Sequence, residues 1–90
     1  MSAAIPVIKR IVARVKRDEA LATQLADDAD LVDGARLDSL ELLQFMLEVE
    51  ESLGIAIDFD RLEFADLHSI RRLAEFLDTM PARPAAPKAG

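Results

Sequence analysis

Ser39 is the side chain in this sequence best placed to do chemistry, and what surrounds it limits the chemistry available. A serine becomes a nucleophile when a base stands within hydrogen-bonding reach and is itself held in place. His68 is the sole histidine, and no motif pairs it with Ser39, so His68 reads as a loop or capping residue. A hydrolase is therefore not expected, nor any other catalyst: there is no Gly-rich phosphate loop, Gly34, Gly54 and Gly90 being scattered. Asp27, Asp28, Asp30 and Asp33 lack the regular alternation and closing bidentate glutamate of a calcium loop, so no metal site is expected there. The chain has no cysteine, hence no thiolate of its own, and any thiol must be imported. What remains is a hydroxyl at the positive end of a helix, a candidate attachment point; the competing reading is a serine that merely caps the helix.

The element that presents Ser39 runs from Leu37 to Ile57 and reads as one helix, opening at Ser39, with Asp38 a further helix-start residue and second-rate cap, and closing at Gly54. With residues about 100° apart, Leu42, Phe45, Met46, Val49 and Leu53 fall within about 100° of arc, a core-facing stripe. Leu40, Leu43 and Leu47 point elsewhere, toward a flank shared with Gln44, Glu48 and Glu51. That flank is either a docking surface beside Ser39 or a second buried side in a small bundle.

Before it, Ile5, Ile8, Ile11, Val12 and Val15 recur at helical spacing with Pro6 in the first turn, a helix that continues or restarts through Glu19 to Leu25. The Asp-rich ADDADLVDGAR is expected to be a long loop anchored by Leu31 and Val32. After it, Ile55 and Ile57 form an extended connector, and Asp58 to Leu62 is expected to form a short helix with Leu62 and Phe64 facing inward. Ser69 caps a last helix with Ile70, Leu73, Ala74 and Leu77 on one face. The expected fold is all-α: a four-helix bundle of three longer helices and one short one, with a long loop between the first two. Residues 1–80 form this domain, and 81–90, rich in Pro and Ala, form a disordered tail.

Hydrophobic residues make up 51% of the 90, with four Phe and no Trp or Tyr, so the core is aliphatic and modest. The net charge of −6 disfavours nucleic acid and favours basic protein surfaces. Charge is uneven: Lys9, Arg10, Arg14, Lys16 and Arg17 precede the first acid, whereas residues 18–60 carry one Arg. The basic segment's apolar stripe is explained as core; contact with anionic lipid is the alternative. No signal segment and no run of about 18 apolar residues appears, so a cytoplasmic monomer that does not insert into membranes is expected.

Asp38-Ser39-Leu40 at the head of an acidic amphipathic helix, followed by Gly54-Ile55-Ala56-Ile57, resembles the acyl carrier protein family. The likeness runs from about Ile5 to Leu77 and is close from Asp38 to Ile57. It implies that a phosphopantetheinyl transferase moves 4′-phosphopantetheine from coenzyme A onto Ser39, and that the arm's thiol carries an acyl group as a thioester. Asp38 would help position the transferase's metal or a basic side chain. Leu40, Leu43 and Leu47 would supply apolar docking contacts, and Glu41, Gln44, Glu48 and Glu51 a polar rim that steers basic patches on partners. Those partners would be the transferase, an acyl- or aminoacyl-loading ligase, and acyltransferase or synthase enzymes. The family commonly has glycine and a small or apolar residue before Asp-Ser-Leu, where Arg36-Leu37 stand here, and many fatty-acid carriers have an acid where Gln44 stands. A dedicated carrier, including an aminoacyl or peptidyl carrier loaded by its own adenylating ligase, fits these departures as well. A helical adaptor that is never modified is the reading from another class. Replacing Ser39 by Ala is expected to abolish loading and to cost about 1 kcal/mol as a lost cap.

Overall fold

Ile8, Ile11 and Val12, buried at helical spacing, make the inner face of α1, Ala4–Lys16, the helix on which the others pack. The computed structural model describes residues 3–82 of the chain. Arg17, left-handed at φ 55°, ends α1, and Arg14 and Lys16 in its last turn complement the helix dipole. The chain restarts as a single turn, α2, Leu21–Gln24. Then come the long loop, α3 at Ser39–Leu53, a 3-10 helix at Phe64–His68, and α4 at Ile70–Asp78. Helices α2, α3 and α4 all contact α1, and the 3-10 helix packs on α4. The fold is thus a small helical bundle, with α1, α3 and α4 as its three longer helices.

The stripe of α3 faces the core as its periodicity predicts: Phe45, Met46 and Val49 are buried, and Leu42 and Leu53 pack beside them. Leu31 and Leu37 pin the long loop into the same core, while Val32 is only half-buried. The loop is also fastened by its backbone. Leu31 N–H donates to the Leu67 carbonyl at 3.0 Å, and Ile70 N–H donates to that of Ala29 at 2.9 Å.

The short helix expected at Asp58 to Leu62 is instead a turn, in which Asp58 Oδ1 accepts the Asp60 N–H at 3.0 Å. The helical residues are Phe64–His68, because Glu63 N–H finds an acceptor in Asp66 Oδ2 at 3.0 Å. Leu62 packs against the core as expected, but Phe64 is 66% exposed rather than inward. Ile57 is buried, whereas Ile55 is half-buried and bridges antiparallel to Ala82. Ala56 N–H also donates to the Pro81 carbonyl at 3.1 Å. The segment assigned to the tail is therefore tied down at Pro81 and Ala82; the rest of that assignment, 83–90, lies outside the described residues.

Candidate functional site

Asp38, not Ser39, is the cap of α3. Asp38 Oδ1 accepts the Glu41 N–H at 2.8 Å, and Glu41 Oε1 accepts the Asp38 N–H at 3.0 Å, a reciprocal capping box. Ser39 is then the first helical residue. It is exposed, and among the described residues no hydrogen bond engages its hydroxyl. The other two described serines are placed differently: Ser52 lies inside α3, and Ser69 Oγ is occupied in accepting the Arg72 N–H at the head of α4. Among the described serines, Ser39 alone combines a free hydroxyl with the start of a long helix.

The approach to Ser39 is unusual. Arg36 adopts φ 58°, the left-handed region in which glycine is at ease, at the position where the resemblance led one to look for glycine. Lys16 reaches from the end of α1 to the Arg36 carbonyl at 3.2 Å and to Glu41 Oε1 at 3.1 Å.

The flank beside Ser39 is solvent-facing, which excludes the second buried side. Leu40, Leu43 and Leu47 are 75%, 54% and 55% exposed, and Gln44 and Glu51 are exposed with them. Two of the expected rim charges are drawn off this flank. Glu41 is engaged by the capping box and Lys16, while Glu48 Oε1 pairs with Arg14 Nη1 at 2.8 Å and its Oε2 is buried without a partner among the described residues. Both lie on the side of α3 nearest α1, where cations are in reach.

His68 is not aimed at Ser39: its Nδ1 contacts Asp30 Oδ2 at 2.5 Å. Donor atoms of Asp30, Asp33 and His68 lie within 4.8 Å of one another, a grouping the acid spacing alone did not disclose. The Asp30–His68 contact is shorter than the roughly 3 Å between two donors on one ion, so it reads as a hydrogen-bonded clip. Burial pushes the Asp30 carboxyl up, but the Asp33 N–H, the His68 ring and the Val32 N–H outweigh it and hold the pKa below its usual value. Asp27 is likewise held low by the hydrogen bond and charge of Lys9, with Arg71 adding to it.

A family model described as the phosphopantetheine attachment site matches residues 7–77. The chain belongs to that family. No curated protein and no solved structure gives a match. Attachment-site domains are carriers that hold 4′-phosphopantetheine covalently, and the residues present fit the group: an unbonded, exposed hydroxyl beside the positive end of a 15-residue helix. Among the described residues, no helix of this carrier domain is long and apolar enough to cross a membrane. Two contacts that sequence reasoning missed are those of Lys16, which reaches the turn before Ser39, and of Asp66, which lies away from it in the 3-10 helix. Asp66, 8% exposed, holds Glu63 N–H and Arg72 Nε and so sets the 3-10 helix against α4. The three-residue spacing of Glu63 and Asp66 was a usable signal for it; Lys16 meets its partners across a separation that leaves none.

Proposed function

We propose that Ser39 is the residue to which 4′-phosphopantetheine is attached, and that the loaded domain carries an acyl group as a thioester between partner enzymes. The observation that carries this reading is the division of labour between neighbours: Asp38 does the capping, so Ser39 Oγ is left free and outward. In the transfer, the Ser39 oxygen forms a bond to the phosphorus of coenzyme A that bears the pantetheine. The phosphoanhydride bond to the nucleotide breaks, and a base of the transferase takes the hydroxyl proton. Asp38 stands beside the attacked position, where it would orient the transferase's metal or a basic side chain. The thiol that this cysteine-free chain lacks is what the arm supplies when bound.

Leu40, Leu43 and Leu47 offer the transferase and the acyl-handling enzymes an apolar patch, with Gln44 and Glu51 at its edge. Contacts of this kind, apolar at the centre and charged at the rim, suit partners that must bind quickly and leave quickly. An aminoacyl cargo would use the same post and face, and the charging ligase decides between the two. The test is intact mass after incubation with a phosphopantetheinyl transferase and coenzyme A. A gain of one phosphopantetheinyl group is expected; a chain left unmodified under conditions that load a known carrier would favour the unmodified adaptor.

A further inference from the structure

Arg36 holds φ 58° just ahead of the cap of α3. The left-handed region is unfavourable for a residue that bears a side chain, so the turn leading to Ser39 has to be restrained by its surroundings. Leu37 anchors one end of it, with its side chain buried and its N–H on the Leu31 carbonyl at 3.1 Å, and α1 supplies the restraint that reaches across the cap. The Lys16 ammonium donates to the Arg36 carbonyl at 3.2 Å and to Glu41 Oε1 at 3.1 Å, and that same Glu41 oxygen accepts the Asp38 N–H at 3.0 Å. One cation thereby grips the chain on both sides of Ser39. The side chains of Lys16 and Glu41 are only 26% and 25% exposed, so water competes for this contact less than for a fully exposed pair. The other paired cations of α1 are spent elsewhere, Lys9 on Asp27 and Arg14 on Glu48.

We infer that Lys16 is a positioning residue for the modification of Ser39. It fixes the turn from Arg36 to Glu41 so that the hydroxyl is presented outward in one orientation. The inference rests on Ser39 being the attachment point. Phosphoryl transfer requires the attacking oxygen in line with the bond that breaks, and a nucleophile on a loosened turn spends less time there. An ammonium suits the role because its three donors serve both acceptors at once. Lys16 is engaged by Arg36 and Glu41 and not by the exposed leucines, so its loss should lower the rate of transfer and spare docking.

The experiment compares the full chain with Lys16→Met, which keeps the apolar stem, and Lys16→Arg, which keeps the charge. Loading by a phosphopantetheinyl transferase with coenzyme A is followed by intact mass, and amide hydrogen exchange is measured on the same proteins. Lys16→Met is expected to lower kcat for loading about 5- to 10-fold with KM within about 2-fold, and Lys16→Arg to recover most of it. Exchange at the Asp38 and Glu41 amides should accelerate about tenfold in Lys16→Met, with Ile11 and Val49 unchanged. Loading by Lys16→Met at the unaltered kcat would overturn the inference. So would equal acceleration at Ile11 and Val49, since Lys16 would then be a general stabiliser. Failure of the unsubstituted chain to load at all would instead sink the assignment of Ser39, and this inference with it.

Discussion

Ser39 keeps its hydroxyl unengaged because its neighbour Asp38 does the capping. Asp38 and Ser39 are both good cap formers, and either could have opened α3. The deciding signal was present: Glu41 lies three residues after Asp38, whereas Leu42 lies three after Ser39, and only the first pair can form a reciprocal box. The stability forecast changes accordingly. Ser39→Ala is expected to cost under about 0.5 kcal/mol, because it removes no bonded group, while Asp38→Ala should cost about 1 kcal/mol, read as a shift of the urea midpoint. Arg36→Gly makes the opposite prediction. Relief of about 1–2 kcal/mol of left-handed strain outweighs an added chain-flexibility penalty of about 0.5–1 kcal/mol, so that variant should be more stable by about 0.5–1 kcal/mol. The left-handed turn at Arg36 was signalled only through the resemblance, which places glycine there; nothing in an arginine itself announces a positive φ.

At the scale of elements, the helices whose apolar residues recur at regular spacing were readable and the segments between them were not. The stripe from Leu42 to Leu53 and the face from Ile70 to Leu77 locate α3 and α4, because burial of one side imposes the period. The short helix was misplaced because Asp58 and Asp60 serve a turn as readily as a cap, whereas the working restraint, Asp66, is signalled only by its three-residue spacing from Glu63. The long loop is held to the 3-10 helix by Asp30 and His68, with Asp30 Oδ1 also accepting the Val32 and Asp33 N–H groups at 2.7 and 2.8 Å. This clip implies an acid dependence. The pKa of Asp30 is depressed on folding, so its contribution is fully present above the unfolded value near 3.8 and is lost as pH falls through the lower folded value. Thermal midpoints should therefore drop on acidification below about pH 4, and Asp30→Asn, less stable at neutral pH, should show the shallower decline.

Across the whole molecule, charge is sorted by destination. Three cations of α1 pair with acids elsewhere in the fold, Lys9 with Asp27, Arg14 with Glu48 and Lys16 with Glu41, so much of the basic segment's charge serves internal contacts. The sequence showed the asymmetry but not its use, since these pairings join residues brought together only by the packing of α1. The flank of α3 left facing outward beside Ser39 is apolar with a polar edge: Leu40, Leu43 and Leu47, with Gln44 and Glu51. Leu47→Ala should raise KM for transferase loading several-fold while moving stability by no more than about 0.5 kcal/mol. Glu51→Gln should slow association and flatten its dependence on salt, because a screened rim charge acts mainly on encounter rate. Measuring loading from low to high ionic strength checks both.

The central claim is that one particular hydroxyl bears the arm, and the most direct measurement locates the modification within the chain. After loading with a phosphopantetheinyl transferase and coenzyme A, peptide fragmentation should place the added group on Ser39 and on neither Ser52 nor Ser69, and Ser39→Ala should remain at its unmodified mass while still folded. A folded Ser39→Ala chain that gains the same mass would contradict the account.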